Sequence, residues 1–173
     1  MEINHPLQSF LYCPACGNKT FIAHNEKSKK CTQCGFLYYF NSSASVAAFI
    51  VNSNNELLIC RRGKEPYINT LDLPGGFVDM HETAEEATYR EIKEELNLDI
   101  DSINYCFSIP NIYPFAGFDV HTLDLFFECT VNSFSELKAS DDVSEAFFID
   151  KSEIKIDAFG LNSIRKGLEI YLN

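Results

Sequence analysis

The period of the hydrophobic positions changes along the chain. Ala44–Val51 and Glu56–Arg61 are short apolar runs on either side of Asn52-Ser53-Asn54-Asn55. Asparagine tolerates left-handed backbone, so the pattern predicts two strands joined by a hairpin turn. Ile103–Ile109, Thr122–Val131 and Ala146–Ile149, rich in Phe, Val, Ile and Leu, predict further strands. Elsewhere the period lengthens to that of a helix. Thr83-Ala84-Glu85-Glu86 has the Thr-x-x-Glu form of a capping box and Asn97 can close a helix in the left-handed conformation, which predicts a helix over Thr83–Leu96. A second helix is predicted within Gly160–Leu172, with Ile164, Leu168 and Tyr171/Leu172 on one face. The expected architecture after residue 40 is α+β, a mixed sheet with helices packed on it.

The first of these helices has two unlike faces. With Glu91 at zero and about 100° per residue, Glu94 and Glu95 fall at roughly −60° and +40°, and Tyr89, Ile92 and Leu96 at roughly 160°, 100° and 140°. The apolar trio would anchor the helix, leaving three carboxylates in one arc without a lysine, since Lys93 faces away. Hard divalent cations, Mg2+ or Mn2+, are natural counterions for such a cluster. An ordinary solvated acidic face fits the helix alone equally well. The preceding Leu73-Pro74-Gly75-Gly76-Phe77 favours the metal reading, because tandem glycines permit a sharp turn and close approach to a ligand.

The first forty residues differ in kind. Cys13-Pro-Ala-Cys16-Gly17 recurs as Cys31-Thr-Gln-Cys34-Gly35, with fourteen residues between the inner cysteines. Each C-x2-C turn points two thiolates at one centre, and two such turns give the tetrahedral four-thiolate set that suits structural Zn2+. Residues 1–40 are therefore expected to form a zinc ribbon and residues 41–173 the main domain. Cys60, Cys106 and Cys129 lie in apolar surroundings and read as small core residues.

The chain of 173 residues has a net charge of −11, with 46% hydrophobic and 13% aromatic residues. That composition excludes disorder and a fibre. Residues 1–40 hold four lysines against two acids, so the remainder carries ten cations against 23 acids. An acidic body repels polyanions, and phosphate-bearing substrates need local cations or a metal. The longest apolar run is Val46–Val51, and Met1–Phe10 lacks signal-peptide character, which leads to the expectation of a soluble, cytoplasmic protein without membrane partners.

Gly76, Glu82, Arg90-Glu91-Ile92, Glu94-Glu95 and Leu98 fit G-x5-E-x7-R-E-U-x-E-E-x-G-U, where U is aliphatic, with Asn97 in place of the second Gly. This stretch resembles the Nudix hydrolase signature. The resemblance implies an α/β/α sandwich, Glu91, Glu94 and Glu95 as ligands of Mg2+ or Mn2+, Glu91 also assisting deprotonation of water, and Glu82 with Arg90 as an orienting pair. It implies hydrolysis of a diphosphate linkage. Asp141-Asp142-Val-Ser-Glu145 resembles the family's later acidic stretch, making Glu145 a candidate fourth ligand.

A zinc ribbon ahead of such a domain looks like the arrangement in NADH pyrophosphatases, and Tyr113-Pro114-Phe115 resembles part of their specificity element. The substrate class implied is a nucleoside diphosphate linked to another moiety, NADH, NAD+ or ADP-ribose foremost, with capped RNA within the family's range and a homodimer as the common assembly. The substrate-contacting candidates are Gly75, Gly76, Arg61 and Arg62, with Tyr113, Phe115 and Phe118 on a loop able to stack a base. A reading from another class stands beside this one: a non-enzymatic module whose ribbon docks onto RNA or protein and whose body senses a nucleotide.

Overall fold

The structure, a computed structural model, describes residues 5–173. It divides into two compact units, one ending at Ser42 and one spanning Ser43–Asn173.

In the first unit, β1 (Phe21–Asn25), β2 (Ser28–Cys31) and β3 (Leu37–Tyr39) form an antiparallel sheet in that order. Its core is small: Cys13, Phe21 and Cys31 cluster with Phe36 against them, and Leu7 is buried besides. Gly17 and Gly35 take φ of 71° and 76°, and their amides return to the carbonyls of Cys13 and Cys31, closing the two knuckles. Lys29, one of the four lysines here, is buried and donates to the Phe10 carbonyl at 2.8 Å.

The second unit has two three-stranded sheets. In one, β4 (Ser43–Ile50) runs parallel to β8 (Phe118–Val131), which pairs antiparallel with β7 (Ile100–Phe115). In the other, β5 (Glu56–Arg62) lies between β6 (Leu71–Asp72) and β9 (Val143–Asp150), both antiparallel to it. Helices α1 (Ala84–Leu96) and α2 (Asn162–Tyr171) complete it.

Strand alternation explains the near-continuous apolar runs. Val46, Ala48 and Ile50 of β4, Leu58 and Cys60 of β5, and Phe127 and Cys129 of β8 pack with Ala87, Ile92 and Leu96 of α1. The intervening Ala47, Phe49, Leu57, Ile59 and Phe126 pack with Ile164 and Leu168 of α2. Each strand is covered on both faces, so it cannot alternate with polar residues. Gly167 lets α2 settle closely: a β-carbon there would stand 2.5 Å from the Phe126 ring.

Three expectations need correction. The asparagine turn forms, with Asn55 at φ 64° and Asn52 Oδ1 accepting from the amides of Asn54 and Glu56. It is a corner between sheets rather than a hairpin, because Val51–Leu57 is the one bridge between the flanking runs before β4 and β5 find other partners. Tyr89 is 41% exposed and does not anchor α1, which Ile92 and Leu96 do. Tyr113, Phe115 and Phe118 are not on a loop: Phe118 begins β8, and Tyr113 and Phe115 end β7, an edge strand where Pro110 and Pro114 are tolerated because one side needs no donor. The turn that follows is tight, with Ala116 at φ 50° and Gly117 at 78°, both values of the two-residue hairpin class. Among the described residues no helix is long and apolar enough to cross a membrane.

Candidate active site

Helix α1 begins at Thr83, whose hydroxyl accepts from the Glu86 amide while Glu86 returns to the Thr83 amide, and ends on Asn97 at φ 55°. The helix is thereby fixed at both ends. Ahead of it, residues 74–78 run alongside β4, with Val46 N donating to Gly76 O, Ala48 N to Pro74 O, and Val78 N to Ala44 O. This places the two glycines between β4 and the acidic face of α1. A β-carbon at Gly75, which has φ 145°, would run into the Val46 carbonyl, and one at Gly76 would lie 2.6 Å from the Glu91 carboxyl carbon. The close approach that the glycines permit is thus made first to the protein's own carboxylates. Gly75 N donates to Glu95 Oε2 at 3.0 Å.

Arg90 organises the remaining acids. Its guanidinium grips Glu82 through Nε at 2.9 Å and Nη2 at 3.0 Å, while Nη1 reaches Glu91 at 2.8 Å and Glu94 at 3.1 Å. Nη2 also donates to the Phe77 carbonyl, and Glu82 accepts from the Asp79 amide. The grip of Arg90 holds Glu82 below the usual carboxylate range. Burial acts oppositely on the other two, pushing Glu91 up and Glu95 well up. Buried carboxylates brought this close store repulsion that a bound cation would relieve.

Arg90, Glu91, Glu94 and Glu95, but not Glu82, line a cavity of about 280 Å3, together with Asp79, Asp141 and Asp142. Of the acidic stretch before β9, then, Asp141 and Asp142 reach the cavity, where Lys64 bridges both. Glu145 does not: strand register sets it opposite Arg61, and the two pair at 2.7 Å outside the cavity lining. Arg62 does line it, with Nη1 2.6 Å from Asp72, Nε on the Pro66 carbonyl and Nη2 on the Tyr113 hydroxyl. Burial works against the guanidinium's charge, but Asp72 and Tyr113 more than offset it and hold Arg62 above its ordinary value. Tyr113 lines the cavity with Phe77 edge-on at 5.6 Å; Phe115 lies outside and is 59% exposed.

The lining also includes Ser45, Asn111, Thr122 and Asp124, which the sequence reading does not single out. The available signal was Asp124 itself, a charge inside the apolar run Leu123–Phe127. In the other unit, Cys13, Cys16, Cys31 and Cys34 bring their sulfurs within 4.8 Å of one another, and Cys13–Cys34 and Cys16–Cys31 are each 3.7 Å apart. Metal–sulfur bonds of about 2.3 Å in a tetrahedron give an edge of about 3.8 Å, so the set fits a metal such as zinc. The Thr20 hydroxyl, with the amides of Cys34 and Gln33, draws the Cys31 thiol down to about 6.

Comparison with known proteins agrees with this geometry. The family model for the NUDIX domain matches residues 42–166. The NAD-capped RNA hydrolase NudC of Vibrio atlanticus is 30% identical over 114 residues, which are 66% of this chain but 42% of that protein. The ADP-ribose pyrophosphatase of Methanocaldococcus jannaschii is 37% identical over 119 residues, 68% of each chain. This chain therefore spans less than half the length of the first relative. Among solved structures, a NUDIX hydrolase from Nitrosomonas europaea superposes with a TM-score of 0.71 at 21% identity, covering 93% of this chain and 89% of the other, a likeness of fold. With the family model covering most of its length and the glutamate-bearing helix set against the double-glycine loop, the chain belongs to the NUDIX domain family.

Proposed function

We propose that this protein is a divalent-metal-dependent pyrophosphohydrolase that cleaves the diphosphate bond of a nucleoside diphosphate linked to another moiety, with NADH, NAD+ and ADP-ribose the leading class. The observation that carries the reading is the convergence of Glu91, Glu94 and Glu95 in the lining of one cavity, the first two held by Arg90 and the third by the Gly75 amide. Two relatives support the substrate class by their names, one an NAD-capped RNA hydrolase and one an ADP-ribose pyrophosphatase. Capped RNA belongs to the same proposal.

Glu91, Glu94 and Glu95 would hold Mg2+ or Mn2+, and the bound cations would supply an activated water and neutralise charge on the diphosphate oxygens. Arg90 fixes one Glu91 oxygen, leaving Oε2 to accept the proton of an attacking water, a role that suits a carboxylate whose pKa burial has raised. Glu82 keeps Arg90 from closing fully on the ligands. Asp141 and Asp142 replace Glu145 as the acids best placed to add a ligand. Residues 1–40 are proposed as a structural zinc ribbon and 41–173 as the hydrolase domain.

The test is release of nucleotide from NADH, NAD+, ADP-ribose, diadenosine polyphosphates and nucleoside triphosphates, with Mg2+ and with Mn2+. Glu94→Gln alters an exposed carboxylate and should abolish turnover while the protein stays folded. Full activity of that variant, or no turnover of any substrate by the natural chain, would sink the assignment.

A further inference from the structure

The cavity lining also carries polar groups that make no hydrogen bond to the glutamates of α1 or to Arg90. Asp124 stands in the middle of an apolar strand, 5% exposed. Its Oδ1 accepts from the hydroxyls of Ser45 and Thr122, and its Oδ2 accepts from the Ser163 hydroxyl at 2.5 Å. A carboxylate offers about four lone-pair sites, so three hydroxyls leave one on Oδ2, and because it only accepts, its orientation cannot be inverted to suit a different ligand. Strand register builds this arrangement: Ser45 is opposite Asp124 on β4, and Asn111 is opposite Thr122 on β7.

Asn111 is the second observation. It lines the cavity and is 8% exposed, yet its carboxamide has no hydrogen-bond partner among the described residues. Among the described residues no fully buried side-chain nitrogen or oxygen lacks a partner, so the Asn111 amide opens onto the cavity, where its donor and acceptor are free to meet a ligand. Beside it Tyr113 and Phe77 give the cavity aromatic walls.

We propose that Asn111 and Asp124 read the edge of the group that the substrate carries beyond its diphosphate, and that this edge is one NH2 beside one acceptor atom. The NH2 donates to the open site on Asp124, and the acceptor takes a hydrogen bond from the Asn111 amide. The amino edge of adenine and the carboxamide of nicotinamide both have this form. The Watson–Crick edge of guanine presents two adjacent donors, for which Asp124 has one vacancy. Hypoxanthine in the adenine pose, or nicotinic acid in the nicotinamide pose, would turn an oxygen toward the Asp124 carboxylate. The inference rests on the proposed function only in taking the ligand to be a nucleotide.

Equilibrium titration of the full chain with mononucleotides, which have no diphosphate to cleave, tests it apart from turnover. AMP against IMP and nicotinamide mononucleotide against nicotinic acid mononucleotide form the two arms, and the arm that discriminates identifies the source of the edge. In at least one arm the amino-bearing ligand should bind about ten-fold tighter or more, as expected where a buried polar group is left facing its like. Asp124→Asn should erase or reverse that ratio. Asn111→Ala, which removes no hydrogen bond of the fold, should weaken the preferred ligand by about ten-fold, at an unchanged melting temperature. Equal binding within both pairs, or undiminished affinity in Asn111→Ala, overturns the inference. Intact binding ratios without turnover of any dinucleotide would leave it standing and remove the hydrolase reading instead.

Discussion

Gly76 lies so close to Glu91 that a β-carbon on the glycine would stand 2.6 Å from the glutamate's carboxyl carbon. The missing side chain is what allows the Glu91 carboxylate to lie under the loop with its other face toward Arg90. Gly76→Ala should therefore displace Glu91 rather than unfold the chain, because the carboxylate ends a flexible side chain. Steady-state kinetics should show kcat/KM lowered by about a hundred-fold, the order of loss expected from an ångström-scale misplacement of a reacting group. Wild-type kinetics in Gly76→Ala would mean that Glu91 reaches its working position by another route. Gly75→Ala should behave differently, since the obstacle there is the Val46 backbone, and loss of stability should dominate.

Glu82 holds two of the five guanidinium contacts of Arg90, and neither residue is deeply buried. Glu82→Gln frees Arg90 to lean on Glu91 and Glu94, where it competes with a metal for the same oxygens. The apparent Mg2+ affinity should fall by about ten-fold or more, the usual scale for groups that orient metal ligands, and excess metal should restore much of kcat. A lowered kcat that no metal concentration restores would indicate a direct role for Glu82 in the reaction.

Much of this site could be read from the chain because its parts are local. The capping box at Thr83, the left-handed stop at Asn97 and the spacing of Glu91, Glu94 and Glu95 are set within fifteen residues, so helical periodicity suffices to place them. Pairings between distant segments were harder to see. Whether Glu145 or Asp141 enters the cavity depends on where β9 begins and on its register with β5, and both arise from long-range pairing. Asn111 was hidden for a related reason. Pro110 and Pro114 suggest a loop until β7 is known to be an edge strand, and the strand in turn puts Asn111 opposite Thr122. The division of β4 and β5 between two sheets likewise follows from their distant partners, β8 and β9, not from the asparagine turn joining them.

Metal binding should be strongly pH-dependent. Burial raises Glu95 well above its ordinary value of 4.5 and raises Glu91 in the same direction, so without metal the folded state holds protons that the unfolded state has already released. Stability of the metal-free protein is then greatest below about 4.5 as far as these groups are concerned, and declines as pH rises through their elevated values. Bound metal demands both carboxylates ionised and reverses the trend. The melting-temperature increment produced by saturating Mg2+ should grow from pH 5 to pH 8, with proton release measurable by calorimetry in buffers of different ionisation enthalpy. An increment independent of pH, with no proton release, would show that these two groups are not the ligands.

The cysteines offer a separate test in the first unit. Among its described residues the buried apolar side chains are Leu7, Cys13, Phe21 and Cys31, with Phe36 packed against the last three, too little apolar surface to hold a fold by burial alone. If the four sulfurs hold a metal, they are shielded from thiol reagents and the metal supplies the missing stability. Of the other three cysteines, Cys60 and Cys129 are buried and Cys106 is half-buried. The native chain should therefore react slowly at Cys106 alone, and a chelator should expose four more thiols, with one equivalent of zinc found by elemental analysis. Chelation should also make the segment up to Ser42 sensitive to protease while the melting transition of residues 43–173 persists, because those residues have cores of their own. Rapid reaction of all four ribbon cysteines before chelation would show that no metal holds them, and the ribbon would then need another source of stability.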